Sequence, residues 1–150
     1  MSFCLCGVAP VFSRRRDVWY ADGLRFECVR CGKCCGGAPG YVWVDDDDIQ
    51  QMAEHLGMGE REFLERYCRR VRWRISLRER PNGDCVLLGQ DGCTVYPVRP
   101  PQCRTFPFWS HLLRSRRRWE RAVAECPGIG RGRLYPAEEI QRIAAGKRTT

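Results

Sequence analysis

Four thiols crowd into eight consecutive residues, Cys28, Cys31, Cys34 and Cys35, with Gly32 between them and Gly36 and Gly37 directly after. Cys-x-x-Cys is the spacing that aims two thiolates at one ion from a single turn, and two such pairs overlap here. The glycines at 32, 36 and 37 predict the tight, left-handed backbone that a ligand knuckle requires. Four further cysteines, Cys85, Cys93, Cys103 and Cys126, follow at intervals. The pattern predicts a fold organised to bring these eight sulfurs together around metal.

Redox compartment decides whether 11 cysteines mean disulfides or metal. A secretory signal places basic residues before an apolar run, whereas here the apolar residues 1–12 come first and Arg14, Arg15 and Arg16 follow. No window approaches the roughly 20 apolar residues of a membrane span. The expectation is a cytoplasmic protein with no membrane span, where clustered thiols hold metal more often than they pair. An odd cysteine count also fits poorly with complete internal pairing. At 150 residues the chain is most simply one domain and long enough to bury a core without disulfides.

The formal charge of +8 is almost wholly arginine, since Lys33 and Lys147 are the only lysines. Such a surface suits nucleic acid or another anionic partner. Metal-bound cysteines, however, are thiolates, so part of the arginine excess balances an anionic core. Metal ions are the leading partner, a protein partner stays open, and nucleic acid is disfavoured without being excluded.

Along the chain, residues 1–17 read as a flexible leader carrying Cys4 and Cys6, and residues 18–150 as the cysteine-cluster domain. Residues 18–29 read as a hairpin that delivers Cys28. Residues 41–44 read as a short strand ending at Asp45, Asp46, Asp47 and Asp48, which cap a helix that Gly57 stops. A second helix starts after Gly59, with Phe63, Leu64, Tyr67 and Val71 as its apolar stripe and Cys68 beside them as a core thiol. Residues 72–80 alternate as a strand with Trp73, Ile75 and Leu77 on one face. Turns at 81–84 and 90–92 present Cys85 and Cys93. The four prolines in residues 96–109 predict a rigid loop holding Cys103. Residues 110–125 read as a helix, although an arginine-studded strand remains an alternative, and a last helix starts at Pro136. The fold class expected is α+β: a small irregular single domain with short hairpins and three or four helices around a cysteine-ligated metal centre.

Thiolate chemistry leaves the metal open between zinc and iron. Three cysteines at Cys-x-x-Cys-x-x-Cys spacing and a later Cys126-Pro127 match the run of a bacterial ferredoxin. Adjacent Cys34 and Cys35 do not both point comfortably at one ion, which predicts two neighbouring centres or a polynuclear one. An iron–sulfur cluster or iron is the expected cofactor, with zinc as the alternative. His55 and His111 stand away from any second ligand and are read as non-ligating. Arg99 and Arg104 flank Cys103 and are candidates to stabilise an anionic cluster or receive an anionic substrate.

Cys28, Cys31, Cys34 and Cys35, then Cys85 and Cys93, the box Arg99-Pro100 to Cys103-Arg104 with Phe106-Pro107-Phe108, and Cys126-Pro127-Gly128 together resemble the YkgJ-type cysteine-cluster family, also called the CxxCxxCC zinc- or iron-chelating domain. The resemblance covers residues 26–143. It implies metal chelation by the eight positions in a small bacterial protein of largely unassigned role. A similar cluster in flagellin lysine methylases is associated with an iron–sulfur centre, which implies a redox or protein-modification enzyme as one alternative. A zinc-structured module binding nucleic acid or protein through an arginine-rich face is another. Cys4, Cys6 and Cys68 lie outside the family pattern.

Overall fold

The computed structural model describes residues 18–37 and 39–146; the expected leader at 1–17, with Cys4 and Cys6, lies outside them. The chain is α+β, with three small antiparallel sheets and helices packed on two hydrophobic clusters.

The first cluster is built by β2 (Trp43–Val44), α1 (Asp46–Leu56), α2 (Glu60–Tyr67), β3 (Cys68–Val71) and β4 (Arg74–Leu77). Asp45 caps α1 as expected: it accepts from the Asp48 N–H at 2.8 Å while Asp48 accepts from the Asp45 N–H at 3.2 Å, a reciprocal capping box. Gly57 ends the helix in the left-handed region at φ 69°. Ile49, Met52, Phe63, Leu77 and Val95 are all nearly inaccessible in this cluster, as is Cys68, in keeping with a core thiol.

Helix α2 ends at Tyr67, earlier than its pattern predicted. Residues 68–71 pair with 74–77 instead, turning through Arg72 at φ 55° and through Trp73. Arginine is a good helix former, so local propensity pointed the wrong way and strand pairing overrode it. Trp73, expected on the inward face, sits at that turn and is 78% exposed. Strand β2 completes the sheet, pairing Trp43 with Ser76. Ser76 is fully buried, its Oγ accepting from the Val42 N–H at 3.1 Å and donating to the Leu77 carbonyl at 3.0 Å.

The second cluster contains β1 (Leu24–Phe26), α4 (Ser110–Leu113), α5 (Arg116–Glu125), β7 (Ile129–Tyr135) and α6 (Ala137–Ala144). The hairpin expected over 18–29 is absent. Residues 19–22 form a turn, and β1 pairs with β7, a strand the sequence pattern did not reveal. Gly130 and Gly132 interrupt β7 at φ 88° and 70°, and glycine is depleted in strands, which hid it. Gly132 is required there, because a Cβ would stand 2.5 Å from that of Glu27. The expected helix over 110–125 is broken at Ser115, whose hydroxyl accepts from the Arg118 N–H at 3.4 Å and caps α5.

Between the clusters, the proline-rich stretch is not a plain loop. It forms a 3-10 turn at Tyr96–Val98 and a five-residue helix, α3 (Pro101–Thr105), with proline at its first position. Missing N–H groups are tolerated there, so the prolines start this helix instead of preventing it. Gln102 ties α3 to the first cluster, donating to the Tyr41 carbonyl at 2.8 Å. Phe106 stacks edge-on against Phe26, next to the second cluster. Cys103 is carried on this strut. The remaining hairpin, β5 (Leu88–Gly89) with β6 (Gly92–Cys93), turns at 90–91 as expected.

Candidate metal centre

The knuckle begins where β1 ends. Arg30 and Gly32 adopt left-handed conformations at φ 55° and 73°, and Lys33–Cys35 close a single 3-10 turn with the Cys35 N–H donating to Gly32 at 2.9 Å. A left-handed arginine is strained by about 1–2 kcal/mol, and such strain gathers at functional positions. Gly37 is left-handed as expected, at φ 103°. Gly36 is instead extended, and its need is space: a Cβ would meet the Asp84 carboxylate at 2.5 Å. The Cys85 N–H donates to the Cys35 carbonyl at 2.6 Å, fastening the knuckle to the turn at 81–84. Leu88 faces Cys93 in the β5–β6 pairing.

These connections bring together Cys34, Cys35, Cys85, Cys93 and Cys103. The Cys35 thiol hydrogen bonds to Cys34, lowering Cys34 to about 6 and pushing Cys35 well up. The negative charge of Cys93 and Cys85 adds to the rise at Cys35. Burial pushes Cys85 and Cys93 up, and each is raised further by a neighbouring thiolate. Cys103 is pushed up to about 12, first by burial and then by Cys85, Cys93 and Cys34. Five thiols that repel one another as thiolates form a pocket of latent negative charge, and Arg99 offsets it at Cys34, Cys93 and Cys103.

The other three predicted positions are located by different neighbours. Cys28 lies beside Tyr96, whose hydroxyl is raised by burial and by hydrogen bonding to that thiol. Cys126 borders the second cluster. The two share one backbone neighbourhood, because the Glu27 N–H donates to the Gly128 carbonyl at 3.1 Å. Cys31 is exposed and borders an open cleft of about 420 Å3 with Lys33 and Asp84. Among the described residues no three His, Cys, Asp or Glu side chains already converge on one ion. The soft donor set nevertheless fits zinc or iron.

Arg99 and Arg104 both line a second cavity of about 470 Å3, together with Cys28. Sequence reasoning missed Tyr96 and Arg133 on the same wall. Tyr96 carries the guanidinium of Arg99 at 3.7 Å from its ring centre and that of Arg30 at 4.1 Å, and its position between Cys93 and Arg99 was the available signal. Stacking also accounts for part of the arginine excess: Arg74 lies 3.9 Å over Trp43, and Arg133 3.6 Å over Tyr135.

Residues 27–127, more than half of the chain, match the family CxxCxxCC, described as "Putative zinc- or iron-chelating domain". The chain belongs to this cysteine-cluster family. The match takes in all eight predicted positions and excludes Cys4 and Cys6. An archaeal relative from Methanocaldococcus jannaschii, itself named only as an uncharacterized protein, is 33% identical over 91 residues, 59% of this chain and 48% of its own length. The chain thus spans about half of that relative. No solved structure matches the chain significantly. Among the described residues no helix is long and apolar enough to cross a membrane.

Proposed function

We propose that the eight family cysteines hold a polynuclear or paired soft-metal centre, iron or iron–sulfur in preference to zinc. Cys34, Cys35, Cys85, Cys93 and Cys103 form the inner group, and Cys28, Cys31 and Cys126 complete the ligand set. The observation that carries this reading is the proximity of five thiols from four separate chain segments, each shifted by at least one of the others. That concentration of would-be negative charge is stable when a cation sits within it, since ligation deprotonates the thiols and binding energy becomes folding energy. Five inner donors exceed the four of one tetrahedral site, which supports more than one metal atom. Iron would supply a one-electron couple there, and zinc a fixed cross-link.

Metal and acid-labile sulfide content, with an absorption spectrum, on protein purified without oxygen tests this directly. Brown protein containing iron and sulfide is expected. Colourless protein with zinc alone overturns the preference for iron and leaves a structural centre. A variant with all eight cysteines replaced by serine that still folds cooperatively, with unchanged stability, overturns the metal-centred reading altogether.

A further inference from the structure

The cavity beside Cys28 carries aromatic rings and a second arginine that metal ligation does not use. Its floor is aromatic: Phe106 stands edge-on to Phe26 at 6.2 Å, and Tyr96 and Tyr135 complete the apolar wall. Its rim is cationic. Arg99 is anchored by its Nε, which donates to the Tyr96 carbonyl at 2.9 Å, and by stacking on the Tyr96 ring. Neither Arg99 nor Arg104 forms a salt bridge among the described residues, although Arg104 is near enough to Asp48 to offset part of the rise that burial gives its carboxyl, and Arg99 acts on the inner thiols. Arg133, also on the wall, is already matched by Glu139 in a two-bonded fork. Glu27 is the one carboxylate lining the cavity.

We infer that this cavity is a binding site for a small phosphomonoester with a flat apolar body. Arginine forks bind carboxylate and phosphate in pairs of hydrogen bonds. One fork saturates the two oxygens of a carboxylate, whereas the three terminal oxygens of a phosphomonoester engage two. Two guanidiniums held in no salt bridge therefore favour the phosphate, and the rings that line the cavity with them favour a planar body. The Arg99 fork is held before any ligand arrives, which reduces the ordering cost of binding. A volume of about 470 Å3 lies within the range of small-molecule sites. Glu27 disfavours a second anionic group on the ligand and accepts a hydrogen bond from a donor on it.

The cavity shares Arg99 and Cys28 with the proposed metal centre, but its arginine and ring lining does not require a bound metal. Calorimetric titration of the protein as purified, with phenyl phosphate, inorganic phosphate and benzoate as probes, tests it. Metal per chain is measured on every sample. One phenyl phosphate per chain is expected, bound at least about tenfold more tightly than either other probe. Loss of a charge-assisted pair costs roughly 10- to 100-fold, so Arg104→Gln and Arg99→Lys should each weaken phenyl phosphate by that factor. Arg104 is exposed, which makes its variant safe for folding. Arg121→Gln, an exposed arginine outside the cavity, should leave binding unchanged. Phenyl phosphate binding no better than inorganic phosphate, or equally well to the Arg104 and Arg121 variants, overturns the inference. Arginine-dependent binding to protein lacking metal would support the cavity while counting against the metal centre.

Discussion

Two glycine substitutions that look alike in sequence have different expected consequences. Gly57 and Gly83 both sit at positive φ, 69° and 87°. Alanine at either position incurs left-handed strain of about 1–2 kcal/mol. At Gly57 a Cβ meets nothing within 4 Å, so strain is the whole effect. At Gly83 the Cβ would run into the carbonyl oxygen of Gly37, two residues beyond Cys35. The turn cannot recede freely, since the Gly83 N–H is bonded to Arg80 at 2.9 Å and the Cys85 N–H to Cys35 at 2.6 Å. Relief moves the knuckle by an amount on the order of 1 Å, against a tolerance of roughly 0.2 Å in a metal–ligand distance. Overpacking of this kind adds about 1–3 kcal/mol. Gly57→Ala should therefore cost about 1–2 kcal/mol with metal per chain unchanged. Gly83→Ala should cost about 2–5 kcal/mol and lower metal per chain. Urea titrations of anaerobically purified protein, paired with metal analysis, give both quantities. Equal losses with equal metal content would refute the claim that the turn at 81–84 positions the cysteines.

Three further outcomes follow from the same coordinates. Cys68 is 3% exposed and raised by burial to about 11. Its thiol ionises first in the unfolded chain, so the stability it contributes is complete below about pH 9 and is lost towards pH 11, roughly 2–3 kcal/mol in all. Cys68→Ala should flatten that part of the urea-stability profile and keep metal content unchanged; an unaltered profile would sink the assignment. Ile140 is fully buried in the second cluster, so Ile140→Ala should cost about 2–5 kcal/mol, and a loss below about 1 kcal/mol would mean that this cluster contributes little. Asp45→Ala removes half of the capping box and should cost about 1 kcal/mol in thermal melts, which for a chain of this size lowers Tm by about 2–4 °C.

Residues whose structure is decided locally were legible in the sequence. The run of aspartates gave away the start of α1, Gly57 its end, and Pro81 to Asp84 a turn, because each acts through its own backbone. Elements decided by distant partners were not. Residues 68–71 carry helix-forming arginines and become a strand only because 74–77 lie across from them. β7 hides behind Gly130 and Gly132, both at positive φ, and of the two only Gly132 is needed for the close approach of Glu27. The thiols were legible as a set, but the mutual influence of Cys34, Cys35, Cys85, Cys93 and Cys103 was not, since spacing within the chain carries no information about which turns meet. Arg133 escaped for the same reason: a cavity wall assembled from separate segments leaves no contiguous pattern.

The pairing of β1 with β7 also governs when the cysteine set can be completed. Arg25 donates to the Gly132 carbonyl, 107 positions later in the chain. During synthesis at about 5–20 residues per second, Cys28, Cys31, Cys34 and Cys35 leave the ribosome several seconds before Cys126 and the strand that draws it towards Cys28. If the eight cysteines form one ligand set as proposed, the knuckle is exposed to oxidants and to whichever metal is at hand before Cys126 has been made. On that proposal, metal identity would depend on the order of arrival as well as on affinity, and recombinant protein made in zinc-rich medium would carry a different ion from protein made where iron is plentiful.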